Sequence, residues 1–353
     1  LRPAVTLARA TTVRTRSEVM DRELTDQTAL PPITDFGGNS ELDLVRVTEA
    51  CALACARLTG RGDQERVKAV AASTMAQALE ELGFVGRVAL GPRGDGTLSA
   101  GSQIGALEAG PEIGTPEGRL EVGVYPVEGA SLVSRGLPNA ISMIVAVEPD
   151  AFPSLPAVAY MEKVVVGSGA RGAVDLDDGI ADNLRRIAFA RDCRVSDLTV
   201  AILDRPRHQG LIEEVRSAGA RVLSLEDGDI TAGLLAAADW TGVDAMVGFG
   251  GLQEALLAAC AVRCLGGEMV CRLWPRNDEE RILAGEDGER TWNVMDLARG
   301  DLTVAVTGIT GGSLLDSVYY GSGWAESHSL VLSTRTRTAR RITTRHQLNR
   351  PAS

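Results

Sequence analysis

The fold class is decided by residues 198–225, which have the sequence LTVAILDRPRHQGLIEEVRSAGARVLSL. Short apolar runs at Leu198–Leu203 and Val222–Leu225 flank Leu211–Ala218, where apolar residues recur at helical spacing. Strand, helix and strand at this spacing indicate an α/β layer. Hydrophobic residues make up 44% of the chain, which is enough to build a folded core.

The same kind of pattern extends on both sides, and it is more mixed in the first half. It predicts further helices at Glu41–Leu58, Glu65–Leu82, Asp182–Ala190, Ile230–Ala238 and Gln253–Cys264, and further strands at Val85–Leu90, Leu120–Val127, Asn139–Val147, Val164–Val166 and Ala245–Val247. We therefore expect an α/β protein with an α+β first half.

The chain is long enough for two domains, and a division near residue 150 is the simplest. We predict an N-terminal extension at 1–40, an α+β half at 41–150 and an α/β half at 151–353, whose last strands could join either half. The charged stretch Asn277–Arg290 is predicted to be a surface loop.

Arginines without acids occupy both ends of a chain whose net charge is −11. Residues 1–17 contain four arginines, and residues 333–353 contain six. One interpretation is a pair of basic tails that bind a partner; the other is an exposed C-terminal strand and a loose N-terminus. Nucleic acid could be contacted only through these arginines, because aromatic residues are just 4% of the chain.

The six cysteines form no CxxC motif and accompany only three histidines, so buried reduced thiols are expected rather than disulfides or zinc. No apolar run reaches the 18 residues that a membrane span needs. The acid-free first 17 residues are typical of an organelle transit peptide or its remnant. We expect a plastid protein in preference to a mitochondrial one, with a truncated chain as the alternative.

Short motifs follow one another along the chain in a fixed order. They are RVTE at 46–49, GRGD at 60–63, YMEK at 160–163, VGSGARG at 166–172, ADNLR at 181–185, PRH at 206–208, DGD at 227–229, GG at 250–251 with Glu254, and TGIT at 307–310. Over about residues 41–350 this order resembles the class II fructose-1,6-bisphosphatases.

The resemblance implies a fold, an activity and a cofactor. The family belongs to the metal-dependent, lithium-sensitive sugar phosphatases, which have a layered α-β-α-β-α sandwich. Its members remove the 1-phosphate of fructose 1,6-bisphosphate with Mg²⁺ or Mn²⁺, and some photosynthetic members also act on sedoheptulose 1,7-bisphosphate. They usually form dimers or tetramers, so a homo-oligomer is expected.

By the same resemblance, the family's sugar-phosphate-binding positions are largely retained. They correspond here to Tyr160, Lys163, Arg205, Arg207, Asp227 and Asp229. Arg205 stands where the family has lysine, which keeps the positive charge but changes its geometry.

The family's metal-ligand and catalytic positions are not retained. Lys68, Pro92 and Tyr125 replace carboxylate ligands, and Ala130 replaces the catalytic threonine. Only Glu128 and Glu254 remain of the expected acidic ligands. Magnesium requires several clustered oxygen ligands, so we expect no metal cofactor. We expect Lys68 either to pair with one of the two glutamates at the former metal position or to point outward from its helix.

The favoured hypothesis is a catalytically inactive relative, a pseudoenzyme, that serves as a structural or accessory subunit of a larger organellar assembly. Its partners would be protein subunits contacted through residues 1–40 and 333–353. The alternatives are a regulatory subunit that binds a sugar phosphate, and an active fructose-1,6-/sedoheptulose-1,7-bisphosphatase with an altered metal site.

Overall fold

The computed structural model describes residues 40–82, 86–92, 97–104 and 120–348, and every structural statement below concerns these ranges. The predicted extension at 1–40 therefore lies almost entirely outside the described residues. The helices are α1 (Ser40–Ala56), α2 (Gln64–Glu81), α3 (Ala130–Arg135), α4 (Ile180–Ala190), α5 (Gln209–Ser217), α6 (Asp229–Ala237), α7 (Leu252–Cys264), α8 (Asp278–Ala284) and α9 (Val294–Leu297).

The strands are grouped into two sheets. They are β1 (Gly86–Leu90), β2 (Gln103–Ile104), β3 (Leu120–Glu128), β4 (Ile141–Val147), β5 (Tyr160–Val166), β6 (Thr199–Leu203), β7 (Arg221–Leu225), β8 (Ala245–Gly251), β9 (Glu268–Leu273), β10 (Thr291–Asn293), β11 (Leu302–Gly308), β12 (Tyr319–Gly321), β13 (Trp324–Ser333) and β14 (Thr338–Gln347).

The first sheet has the order β12-β13-β11-β4-β3-β1-β2, with β14 paired to β13. The second has the order β10-β9-β5-β8-β6-β7. Strands β11 to β14 thus return to the sheet of the first half, an outcome that the sequence pattern left open. The division into domains itself stays a prediction.

Alternating side chains of each sheet face two different helical layers. On β4, Met143 and Val145 pack toward α6 and α7, whereas Ile144 and Ala146 pack toward α1 and α2. The second sheet covers the other side of α6 and α7, and its outer face packs on α4 and α5. This is the predicted five-layer α-β-α-β-α sandwich, with α6 and α7 at its centre.

Residues 277–290, predicted as a loop, contain helix α8, so that prediction is wrong. Asn277 caps the helix by accepting the Glu280 N–H at 2.8 Å. Glu280 in turn accepts the Arg276 Nε–H at 3.0 Å. A cap and an ion pair stabilise a short helix here that its exposed, charged sequence did not indicate.

Residues 338–347 form a paired strand, which confirms the C-terminal part of the exposed-strand interpretation; the N-terminal part concerns residues outside the described ranges. Strand β14 pairs along its whole length with β13. Arg340 Nη1 lies 2.7 Å from Glu41 Oε2, and the Arg341 guanidinium lies 4.3 Å from the Trp240 ring centroid. These arginines therefore contact the chain's own body, and contact with a partner stays a prediction.

Two predictions about composition can be compared with the structure. All six cysteines are free thiols, and four of them are buried, as expected. In the ranges that the structure describes, no helix is both long and apolar enough to span a membrane.

Candidate functional site: a cleft between the two sheets

One cavity of about 700 Å³ collects most of the residues singled out by their sequence. It is lined by Lys68, Pro92, Tyr125, Glu128, Ala130, Tyr160, Arg205, Arg207, Asp227, Asp229 and Glu254. Strands β3 and β8 and the N-termini of α3, α6 and α7 bring these positions together. The roles of the individual residues stay predictions, because a shared cavity does not assign them.

Tyr160 is the centre of a basic wall of this cleft. The guanidinium carbons of Arg207 and Arg276 each lie 5.0 Å from its ring centroid. Arg207 Nε donates to the Phe249 carbonyl at 3.0 Å, which fixes the side chain against β8. Among the described residues, no carboxylate lies within 4 Å of Arg207. Its charge is therefore available to an anion in the cleft.

Arg205 and Asp227 form a second polar contact at the cleft. Arg205 Nη2 lies 3.5 Å from Asp227 Oδ1, and Arg205 is 38% exposed. Asp227 Oδ2 accepts a hydrogen bond of 2.5 Å from Ser131 Oγ on α3. Because the 3.5 Å contact is long and solvated, it contributes little to stability and leaves Arg205 able to bind a ligand.

Lys163 and Asp229 form a buried ion pair, with 1% and 8% of their side chains exposed. Lys163 is not among the residues that line the cavity, and its part in ligand binding stays a prediction. Its β5 position pairs with Gly248 on one side and Cys271 on the other, which buries the side chain. Asp229 Oδ2 accepts from Lys163, whereas Oδ1 is buried without a hydrogen-bond partner.

The two glycines that end β8 allow carboxylates to lie against the backbone. A Cβ at Gly250 would collide with the carboxylate of Asp229, and a Cβ at Gly251 would collide with that of Glu254. The GG motif at 250–251 is therefore explained by close approach of these side chains.

Glu128 caps the N-terminus of α6 from across the cleft. Its carboxylate accepts the Ile230 N–H at 2.6 Å, the Thr231 N–H at 2.8 Å and the Thr231 hydroxyl at 2.5 Å. Complete burial nevertheless raises the pKa of Glu128 to about 8. These three donors occupy the oxygens that the family resemblance assigns to a metal.

Tyr125 and Glu254 are joined directly, although both stand at family ligand positions. The Tyr125 hydroxyl donates to Glu254 Oε1 at 2.8 Å. Burial, together with the nearby carboxylate of Glu254, raises the pKa of the phenol well above its usual range. Tyr125 therefore stays protonated and remains a donor to the glutamate.

Lys68 does not pair with either glutamate, so the expectation of an ion pair at the former metal position is wrong. Lys68 Nζ lies 2.8 Å from Glu65 Oε1, three residues earlier on α2, and its side chain is 51% exposed. Lys68 nevertheless lines the cleft, so the outward-pointing alternative stays a prediction. Lys68 reaches Glu65 on the same helix face without burying its ammonium group, which explains why it pairs with Glu65 and not with a glutamate of the cleft.

The side chains at the former ligand positions do not fit the family's divalent metals. An ammonium, a proline ring and a protonated phenol occupy three of them, and both remaining glutamates accept hydrogen bonds within the protein. Across the residues that the structure describes, no group of three or more His, Cys, Asp and Glu side chains could hold a metal ion.

Arg276 and Gln253 line the cleft but were not identified from the sequence. Arg276 follows β9, a strand that the apolar pattern did not predict. The sequence therefore gave no reason to place Arg276 at the end of a strand. The Gln253 Nε2 atom is buried without a hydrogen-bond partner. Its position beside Glu254 at the start of α7 is the one signal that the sequence offered.

The five-layer sandwich and its cleft are of the sugar phosphatase type. The family model described as "Bacterial fructose-1,6-bisphosphatase, glpX-encoded" matches residues 38–346. The D-fructose 1,6-bisphosphatase class 2/sedoheptulose 1,7-bisphosphatase of Synechococcus sp. (strain JA-3-3Ab) is 34% identical over 334 residues, which cover 86% of this chain and 94% of that protein. The fructose-1,6-bisphosphatase 1 class 2 of Escherichia coli (strain K12) is 33% identical over 330 residues, 88% of this chain and 95% of that protein. The chain belongs to the class II fructose-1,6-bisphosphatase family.

Family membership corrects the prediction about cofactors. Class II fructose-1,6-bisphosphatases are metal-dependent, so the expectation that no cofactor is involved is wrong at the level of the family. Divalent metal ions therefore belong in every assay of this chain. The altered ligand positions of this chain concern its own reaction, and they do not change the fact that the family requires a metal.

Proposed function

We propose that this chain binds a sugar phosphate in the cleft and has lost the family's hydrolysis of the 1-phosphate. The observation that carries the proposal is the division of the cleft into two unlike ends. The basic end around Tyr160 keeps Arg207 without a carboxylate partner among the described residues. At the other end, Tyr125 is hydrogen-bonded to Glu254.

The basic end supports binding of a phosphate group. Arg205 and Arg207 present guanidinium groups to the cavity, and guanidinium groups match phosphate oxygens with pairs of charge-assisted hydrogen bonds. Arg276 also lies beside Tyr160, but its guanidinium group is paired with Glu280. The buried, unpartnered Asp229 Oδ1 in the same wall is suited to accept a hydrogen bond from a sugar hydroxyl.

The other end supports the loss of hydrolysis. Phosphate ester hydrolysis requires charge stabilisation on the phosphoryl oxygens and an activated water. Ala130 has no hydroxyl where the family resemblance implies a catalytic threonine. Glu254 is held by the Tyr125 phenol, and Glu128 is held by the N-terminus of α6. Neither carboxylate is free to act as a general base in this arrangement.

In this proposal the chain is a structural or accessory subunit of an assembly in an organelle, the plastid being preferred. The acid-free residues 1–17 and the arginine-rich outer strand β14 support protein contacts at the two ends. Size-exclusion chromatography of the full chain, beside a chain beginning at residue 40, tests whether residues 1–39 are needed for self-association or partner binding. Equal elution volumes and equal partner recovery would count against this part of the proposal.

Isothermal titration calorimetry tests the binding proposal. The full chain is titrated with fructose 1,6-bisphosphate and fructose 6-phosphate in the presence of Mg²⁺. We expect binding that Arg207→Ala weakens by roughly ten- to a hundredfold, because a charge-assisted hydrogen bond contributes about 1.5–3 kcal/mol. The matched control is Arg216→Ala, which removes an exposed arginine of α5 outside the cleft. Absence of heat with both ligands contradicts the proposal.

An active sugar bisphosphatase is the second candidate function. Four carboxylates, those of Glu128, Asp227, Asp229 and Glu254, still line the cleft, which favours retained chemistry. The relatives from Synechococcus and Escherichia coli carry names of active phosphatases. Release of inorganic phosphate, measured with Mg²⁺ and with Mn²⁺, separates this candidate from the first.

A further inference from the structure

A second cavity, of about 610 Å³, lies apart from the cleft and shares none of its lining residues. Three arginines line it, each from a different part of the fold. Arg171 follows the 3-10 turn after β5, Arg263 lies in the last turn of α7, and Arg337 lies in the turn between β13 and β14. Arg171 belongs to the VGSGARG motif at 166–172, whereas Arg263 and Arg337 lie outside the motifs, and the proposed function uses none of the three.

Acidic side chains do not neutralise these arginines. Asp301 is the one carboxylate among the lining residues, and its Oδ2 atom lies 3.1 Å from Arg335 Nε, outside the lining. Within the described part of the chain, neither Arg171 nor Arg337 has a carboxylate within 4 Å. Glu268 follows the lining residue Gly267, and its carboxylate accepts a hydrogen bond from the Gly172 N–H. The cavity thus keeps excess positive charge although the whole chain is acidic.

One of the three arginines is held in place by the backbone, and Arg171 and Arg337 are exposed. Arg263 Nη1 donates to the carbonyls of Ala298 and Gly300, both at 2.7 Å, which fixes its guanidinium group at the cavity. Arg337 has φ of 52°, in the left-handed region that favours glycine or asparagine. An arginine at this strained position is consistent with a use for its side chain.

The rest of the wall is partly apolar. Val294, Met295 and Cys264 line the cavity, and Met295 is 55% exposed, which is unusual for a large apolar side chain. The volume is far larger than one inorganic phosphate needs. The wall therefore suits a ligand that combines an anionic group with an organic group.

We propose that this cavity binds a small phosphate monoester. Its phosphate dianion lies among Arg171, Arg263 and Arg337, where the guanidinium groups donate charge-assisted hydrogen bonds. Its organic group covers Met295. The site is separate from the sugar-phosphate cleft and does not depend on the function proposed for that cleft.

Calorimetry with two probes tests this site in the full chain carrying Arg205→Ala and Arg207→Ala, which weaken the cleft. We expect phenyl phosphate to bind one site per chain and more tightly than inorganic phosphate. Further substitution by Arg171→Ala or Arg337→Asn should weaken phenyl phosphate binding by about tenfold or more. Asparagine tolerates the left-handed backbone, so the turn should remain intact, and an unchanged melting temperature verifies this.

Three further variants complete the test. Arg337→Lys keeps the charge and should retain binding within a few-fold, Met295→Ser should weaken phenyl phosphate but not inorganic phosphate, and Arg216→Ala should change neither. The proposal is overturned if phenyl phosphate gives no heat, or if Arg337→Asn leaves its affinity unchanged. An equal loss with Arg216→Ala would also overturn it, since that would show attraction to general surface charge.

Discussion

The hydroxyl of Tyr125 donates a hydrogen bond to Glu254 Oε1 at 2.8 Å, so two positions that the family resemblance assigns to metal ligands are bonded to each other. A phenol in place of an aspartate converts a pair of like charges into a donor and an acceptor. This contact stabilises the cleft without an ion between the two side chains. In the function that we propose, this contact keeps Glu254 from taking part in hydrolysis.

Restoring the family residues should restore turnover. We expect the variant with Lys68→Asp, Pro92→Glu, Tyr125→Asp and Ala130→Thr to release phosphate from fructose 1,6-bisphosphate with Mg²⁺ or Mn²⁺, because it regains three carboxylates and one hydroxyl. Phosphate release is measured colorimetrically against the unmodified chain. Adding Glu254→Gln to the variant is the control and should abolish the gain. Equal rates for variant and parent would show that other positions limit the reaction.

Removing the Tyr125 hydroxyl should destabilise the fold moderately. Tyr125→Phe removes a part-buried hydrogen bond to Glu254 Oε1, and such a bond contributes about 0.5–1.5 kcal/mol net. The free energy of unfolding is measured by urea denaturation. Tyr319→Phe is the matched control, because the Tyr319 side chain is 59% exposed, and it should cost less than about 0.5 kcal/mol. A Tyr125→Phe variant as stable as its control would show that the hydrogen bond contributes nothing.

The two lysines of the chain should differ sharply in their effect on stability. Lys163→Met leaves the Asp229 carboxylate buried without its cation, which should cost about 3–5 kcal/mol. Lys68→Met breaks an exposed pair with Glu65 and should cost less than about 1 kcal/mol. Adding Asp229→Leu to Lys163→Met should recover part of the loss, because no lone charge then remains buried. Similar losses for the two lysine variants would refute the buried pair.

Glu128 should make the stability fall as pH rises above its ordinary pKa. Between its usual value of 4.5 and the folded-state pKa of about 8, the folded chain keeps a proton that the unfolded chain has released. The free energy of unfolding therefore decreases with rising pH across this window. Glu128→Gln should remove that decrease. Burial also raises the pKa of Glu49, so the difference between variant and parent is the quantity to measure. A difference that is constant from pH 5 to pH 8 would contradict this assignment.

Periodicity predicted much of the fold, because strands and helices with one buried face have a regular apolar pattern. The helices α1 and α2 and the strand-helix alternation at 198–247 were predicted within a few residues of their bounds. Helix α8 was missed because its apolar residues Ile282 and Leu283 are exposed and form no buried stripe, and because the sequence pattern does not show that Asn277 caps it. Strand β9 was not predicted, and Arg276 at its end was missed with it.

The sequence predicted which residues belong to the site, but it did not predict which of them form hydrogen bonds with each other. Sequence motifs brought Tyr160, Arg207 and Glu254 into one expected site, and they line one cavity. The partners of Lys68 and Glu254 were not predictable, because each depends on which of several nearby groups lies at hydrogen-bond distance. Glu65 lies one turn away from Lys68 on the same helix, and the Tyr125 phenol on strand β3 reaches Glu254 on helix α7.

The most direct test is phosphate release from saturating fructose 1,6-bisphosphate by the full chain, with Mg²⁺ and with Mn²⁺, beside the Glu254→Gln variant. Our account predicts that the chain binds the sugar phosphate by calorimetry and releases no more phosphate than this variant does. Phosphate release by the unmodified chain that Glu254→Gln abolishes would contradict it, and would establish the chain as an active bisphosphatase.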